Sequence, residues 1–213
     1  MSSLIQRLRQ HWLASSLVVL AILVIALMGT VFTYGIFHSH WDGRVARGFA
    51  RVFQVPAAKV GTQKITYTAY LFQLDADRRF LASPTARLQG LPTEVTDTIR
   101  MQALDRMMRA AAVEDMANEK KIVVTPLDVD RAYDTLVATA SSSSVSEIRS
   151  ALQDQFGWTE DDFQHLVVRP ALMEDLLRQK MLQETGDAEA VDKAIIERLS
   201  RADVKRYLVF KVE

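Results

Sequence analysis

The chain has 213 residues and a mass of 24.0 kDa, enough for one ordinary domain and an appendage but too little for two enzyme domains. Its 26 Lys+Arg balance 26 Asp+Glu, which argues against a nucleic-acid-binding domain with its basic excess. With no cysteine, a disulfide framework, a thiolate zinc site, an iron–sulfur cluster and a cysteine nucleophile are all excluded.

Between Arg9 and Asp42 no side chain carries a formal charge, and Trp12 to Phe37 is almost wholly apolar. As a helix, at ~1.5 Å per residue, that stretch reaches about 39 Å, beyond the ~30 Å of bilayer hydrocarbon. Trp12 at one end and Tyr34 with Trp41 at the other fall where interfacial aromatics gather. A cleavable signal peptide would need a shorter apolar core and small residues at its cleavage site, where bulky Tyr34, Ile36 and Phe37 stand. Residues 12–37 are therefore read as an uncleaved transmembrane anchor behind a short tail, residues 1–11. Arginines flank both ends, Arg7 and Arg9 against Arg44, Arg47 and Arg51, and their count gives no clean orientation, leaning slightly toward a cytoplasmic C-terminus.

Residues 38–56 read as an arginine-bearing juxtamembrane linker, and residues 57–213 as one helical domain. Lys59-Val60 and Lys64-Ile65-Thr66 predict two short strands about a turn at Gly61-Thr62-Gln63. Thr66 can cap a helix on which Tyr67, Tyr70, Leu71, Leu74 and Leu81 recur at helical spacing, with a break at Ser83-Pro84. Thr93 is the expected N-cap of a long helix reaching about Lys120. It carries one stripe of Met101, Leu104, Met108 and Ala111 and a second of Val95, Ile99, Val113 and Ala117. Thr125-Pro126 opens a helix through Val129, Tyr133, Leu136 and Ala140. The serine run 141–144 predicts a loop, and Ser144-x-x-Glu147 has capping-box spacing for the next helix, stopped by Gly157. Thr159 starts another, with Phe163, Leu166, Val167, Met173, Leu177 and Met181 on one face and a kink or lost hydrogen bond at Pro170. A short helix (Val191, Ile195, Leu199) precedes an alternating strand, 204–210. That terminal strand must pair with something, and the only other strand candidates lie near 57–66. The expected fold is mostly α, with a transmembrane helix followed by a multi-helix domain whose two ends meet in a small antiparallel β patch.

No catalytic constellation emerges. His38-x-His40-x-Asp42 could gather a metal on an extended strand but lacks a fourth ligand, so an interfacial role is the expectation. The serines at 141–144 lack the strand–elbow–helix setting of a hydrolase nucleophile, and there is no glycine-rich phosphate loop. No metal and no cofactor are expected.

The order of elements carries a resemblance. Ala57-Ala58-Lys59-Val60-Gly61-Thr62-Gln63-Lys64-Ile65-Thr66 resembles the A-x-V-N-G-x-x-I-T opening of SurA, PpiD and PrsA-type chaperone domains. The run Lys121 to Val129 (KIVVTPLDV) is similar to that family's G-I-x-V-T-x-x-D-V junction, and Phe156 to Phe163 (FGWTEDDF) to its x-G-W-S-E-x-D-F turn. The matches cover roughly residues 57–183. Many relatives continue into a parvulin-type prolyl isomerase domain. Residues 204–209 only faintly resemble its opening strand, with Arg206 and Tyr207 where a histidine belongs, so isomerase activity is not carried over.

The resemblance implies a SurA N-terminal-like chaperone module, facing outward from the cytoplasm at the cell membrane, that binds unfolded or newly exported polypeptides near the secretion machinery. It implies no catalysis and no nucleic acid. The competing reading is a membrane-anchored assembly or scaffold subunit with one dedicated protein partner. On the chaperone reading the client-facing candidates are Met101, Leu104, Met108, Phe163, Val167, Met173 and Leu177, because flexible Met and apolar side chains suit varied partners.

Overall fold

The computed structural model describes residues 27–139 and 145–210. Residues 12–26 of the expected anchor, the serine run 141–144 with its Ser144 cap, and residues 211–213 lie outside the described residues. The chain divides into two units, residues 1–49 and 50–213.

In the first unit, residues 27–39 form helix α1, and Arg44–Val52 forms α2, which runs on into the second. Between them Trp41 N–H donates to Gly35 C=O at 3.1 Å, and a Cβ at Gly35 would strike the Trp41 ring. Phe32 stacks on Phe49 at 4.9 Å and meets Trp41 edge-on at 6.0 Å. The segment expected to be a linker is thus largely helical. Helical spacing collects Ala46 and Ala50 in the interior and leaves Val45 and Val52 exposed, with Arg44, Arg47 and Arg51 on a stripe of their own. Among the described residues no helix is long and apolar enough to cross a membrane.

The second unit opens with a hairpin of β1, Pro56–Val60, and β2, Gln63–Thr66. Val60 faces Gln63, so the turn is the two residues Gly61-Thr62, with Gly61 at φ +55°. A II′ hairpin turn calls for glycine at that position. Thr66 caps α3, Tyr67–Ala82, by accepting from Ala69 N–H at 3.2 Å. Tyr67, Tyr70, Leu71, Leu74 and Leu81 are buried, as their spacing predicts. Ser83, held extended before Pro84, ends that helix and caps the short α4, Pro84–Leu88.

Helix α5, Asp97–Glu119, is the axis of the unit and packs against β1, β2, α3, α9 and α10, the last two being Arg169–Thr185 and Ala190–Leu199. Its N-cap is Thr96, accepting from Ile99 N–H at 3.3 Å, and not Thr93. Starting there puts Asp97 in the first turn, where the helix dipole favours an acid, and leaves Val95 outside the helix. At the other end Lys121 stands at φ +57°, while its N–H donates to Asn118 C=O and Ile122 N–H to Ala117 C=O. These are the two bonds of a Schellman cap, a place that glycine fills without strain.

Helix α6, Pro126–Thr139, is capped by a reciprocal Thr125–Asp128 pair. Helix α7, Val145–Gln155, stops at Gly157, φ +71°, where a Cβ would meet the Arg79 guanidinium. Thr159 and Asp162 form a capping box at α8, Glu160–Phe163. Pro170 then shapes the backbone. A proline inside a helix lacks an N–H, and its ring crowds the carbonyl four residues back, here that of Leu166. The chain answers with a π-helical turn, Gln164–Val168, in which Arg169 N–H donates to Gln164 C=O.

The terminal strand β3, Lys205–Arg206, pairs antiparallel with β1, giving the order β2-β1-β3 and joining the two ends of the unit. It is shorter than the expected 204–210. Beyond the ladder Tyr207 N–H donates to Ala57 C=O, while Val55 C=O, just before β1, accepts from Tyr67 N–H.

One buried cluster ties these ends to α5. Asp115, only 4% exposed, accepts from Thr62 N–H at 3.2 Å, from Thr62 Oγ1 at 2.7 Å and from Arg198 Nη1 at 2.6 Å. Arg198, on α10, is 6% exposed and also donates to Glu119. A Cβ on Gly61 would overlap the Asp115 carboxylate, so glycine is required there for contact as well as for φ. Helix α10 is further held by Asp192, which accepts from Arg109 of α5 at 2.7 Å and Arg178 of α9 at 3.2 Å.

Three outcomes are expected. Arg198→Met leaves a buried carboxylate without its cation and should cost about 3–5 kcal/mol in urea denaturation, with the Asp115→Leu/Arg198→Met pair costing less than the sum of the singles. Lys121→Gly relieves the left-handed cap and should stabilise by about 1 kcal/mol in the same assay. Hydrogen bonds from Arg109 and Arg178 hold the Asp192 carboxyl below its ordinary value of 3.8. Its anchorage is therefore whole above pH 3.8 and is lost as pH falls through the depressed value, so Asp192→Asn should flatten that acid limb of the stability curve.

Candidate polypeptide-binding groove

A groove of about 530 Å³ runs along α5 in the second unit. Its floor is Met107, Ala110 and Ala111 of α5 with Met173 of α9. One wall is strand β2; the other is Leu166 and Val167 of the π-turn with Pro170. The wall opposite the sheet is therefore built by the backbone adjustment that Pro170 imposes. Trp158 also lines the groove and is 7% exposed, with no hydrogen-bond partner for Nε1 among the described residues.

Of the charged side chains that line it, Arg106, Glu114 and Arg169 are paired, and Lys64 of β2 is exposed. Arg169 reaches Glu114 at 3.3 Å, and Arg106 reaches Asp77 at 2.9 Å. Burial pushes the Asp77 carboxyl up, and Arg106 opposes that shift. Beyond this second pair lies another depression of about 650 Å³, walled by Phe80, Leu81, Leu91, Pro92 and Ile99. Gln73 and Arg106 border both, so the Arg106–Asp77 pair stands between two apolar hollows.

The structure distributes the seven sequence-derived candidates among different environments. Val167, 38% exposed, and Met173 line the groove. Met101 is half-buried, and Phe163 is a half-buried link between the Ala76–Leu152–Trp158 and Val129–Tyr133–Val168 clusters. Leu104, Met108 and Leu177 are core, at 0%, 1% and 0% exposed. Because α5 is packed on several sides, a helical stripe alone does not say which side is left open. Ala110 and the β2 edge carry no local signal in the sequence, whereas Pro170 is marked there as a kink but not as a wall of a groove.

Among the described residues no three His, Cys, Asp or Glu side chains gather to hold a metal. His165 is exposed and lines the groove beside Arg169.

The domain is mostly helical, closed end to end by a small sheet, and carries an apolar trough along its central helix. The model of the SurA-like N-terminal domain family matches residues 1–140, and the chain belongs to that family, a chaperone type without catalysis of its own. No curated protein and no solved structure matches the chain.

The two neighbouring methionines separate groove from core. Met108→Glu buries an unpaired carboxylate and should lose several kcal/mol, enough to abolish the folded circular dichroism signal, whereas Met107→Glu should leave the spectrum and the melting temperature nearly unchanged.

Proposed function

We propose that this protein is a membrane-anchored, extracytoplasmic holdase that shields unfolded or newly exported polypeptides without catalysis. The observation that carries the reading is the groove, with an apolar floor on α5 and α9 and the Arg106–Asp77 and Arg169–Glu114 pairs beside it. Apolar groups of a client gain by leaving water for such a floor, and a short trough buries little enough area to let them go again. Met107 and Met173 suit this work because an unbranched thioether adapts to differently shaped partners. Membership of the SurA-like family supports the kind of partner.

Residues 12–37 supply the proposed anchor. Tethering at the membrane raises the local concentration of the domain where exported chains emerge, with no additional contact required. Neither the release of a client nor its capture needs a nucleotide.

The test uses the whole chain. Several unrelated unfolded proteins should be kept from aggregating by light scattering, and Met107→Glu/Val167→Glu should abolish the protection with the circular dichroism spectrum intact. Protection of a single dedicated partner only, or full protection by the double variant, contradicts the reading. Sidedness is read separately from Ser150→Cys, exposed on α7 in a chain with no other thiol. Labelling of intact spheroplasts by an impermeant maleimide is the expected result, and labelling only after lysis would contradict the outward orientation.

A further inference from the structure

Strand β2 is the outer strand of its sheet, so one of its edges is unpaired among the described residues. Register shows which main-chain groups point out of that edge. Tyr207 N–H donates to Ala57 C=O, and Lys59 faces Lys205, so Ala57 and Lys59 turn their main chain toward β3. Antiparallel strands alternate, hence Ala58 and Val60 turn theirs toward β2, where they face Ile65 and Gln63. Lys64 lies between those two residues. Its N–H and C=O therefore point away from β1, to the open edge.

That edge is the wall of the groove. The four residues of β2 line it, with Met107 and Ala110 alongside and Val167 across the trough. A main-chain donor and acceptor, the N–H and C=O of Lys64, beside an apolar trough fit one chemistry, an extended polypeptide. Such a chain can pair with the edge through its own backbone while alternate side chains fall into the trough. A helical ligand has its backbone groups satisfied internally and could use only the trough. A second copy of this chain, pairing edge to edge, is opposed by the shortness of β2 and by the exposed Lys64 at its centre, both devices that keep edges from permanent association.

We infer that a client is held as an added strand on β2, paired through the main chain of Lys64, with every second side chain lying against α5 and the π-turn. This rests on the reading of the groove as a polypeptide site and specifies its substrate class, an extended segment with apolar residues at alternate positions. Main-chain pairing is indifferent to side-chain identity, which gives tolerance of many sequences, and it excludes proline at the paired positions.

The probe is a fluorescent peptide of about nine residues with alternating Val and Ser, measured by anisotropy against the whole chain. Two versions carry backbone N-methyl groups, one on the Val residues and one on the Ser residues. In an added strand all residues of one parity face the edge, so one version should lose about tenfold or more in affinity while the other binds like the parent. Equal affinities for the two, high or low, overturn the inference. Lys64→Pro supplies the protein-side test, because it removes an N–H that β1 does not use and proline is tolerated on an edge strand. It should weaken the parent peptide by a similar factor with unchanged circular dichroism, while Lys64→Ala, which keeps the backbone, binds as before. A folded Lys64→Pro chain with unweakened binding overturns the inference and leaves the holdase reading standing. No binding of the parent peptide, together with no protection of unfolded proteins, removes both.

Discussion

The domain is organised around one buried carboxylate. Asp115 sits on the central helix and receives the hairpin turn, through Thr62, and the last helix, through Arg198. Burying an ion costs several kcal/mol unless partners replace its water, and here three donors do so. Their directions matter as much as their energy. Apolar packing of β1 and α10 on α5 would tolerate sliding, whereas bonds from residues 62 and 198 to a single carboxylate fix where both lie along the helix. Gly61 completes the arrangement by bringing the turn backbone closer than any side chain would allow.

The groove follows from that fixed point. With the turn pinned, β2 runs beside α5 and its outer edge becomes one wall. The facing wall has a separate origin in Pro170, whose missing N–H and bulky ring convert the preceding turn to π-helix and place Leu166 and Val167 along the trough. Both walls are made by the fold itself, so on the proposed reading a client would bear little of the cost of ordering the site.

Much of this fold was legible from local chemistry. The caps at Thr66, Thr125 and Thr159, the break at Ser83-Pro84 and the stop at Gly157 each depend on a few neighbouring residues, and each stands where its residues put it. The joining of the chain ends followed from counting strands, since a terminal strand has to pair. The start of α5 was displaced because Thr93 and Thr96 are equally good caps by residue type, and the following Asp97 favours the second. The site was less legible. Two apolar stripes on α5 give no order of burial, and the packing of β1, β2, α9 and α10 around it decided that Met108 went inward and Met107 faced the gap. Asp115 and Arg198 are not singled out by local sequence because their partners are distant along the chain; the run of Ala111, Ala112, Val113, Met116 and Ala117 around Asp115 is the local sign that it is enclosed.

Native-state hydrogen exchange on the whole chain, compared between the wild type and Asp115→Asn, tests most directly whether this carboxylate unites the two ends of the domain. In the wild type the amides of β1 and those of α10 should open together with one free energy, and in the variant they should separate into two steps, with the hairpin opening first. Amides of β1 and α10 that already exchange independently in the wild type, or that remain coupled in the variant, would contradict it.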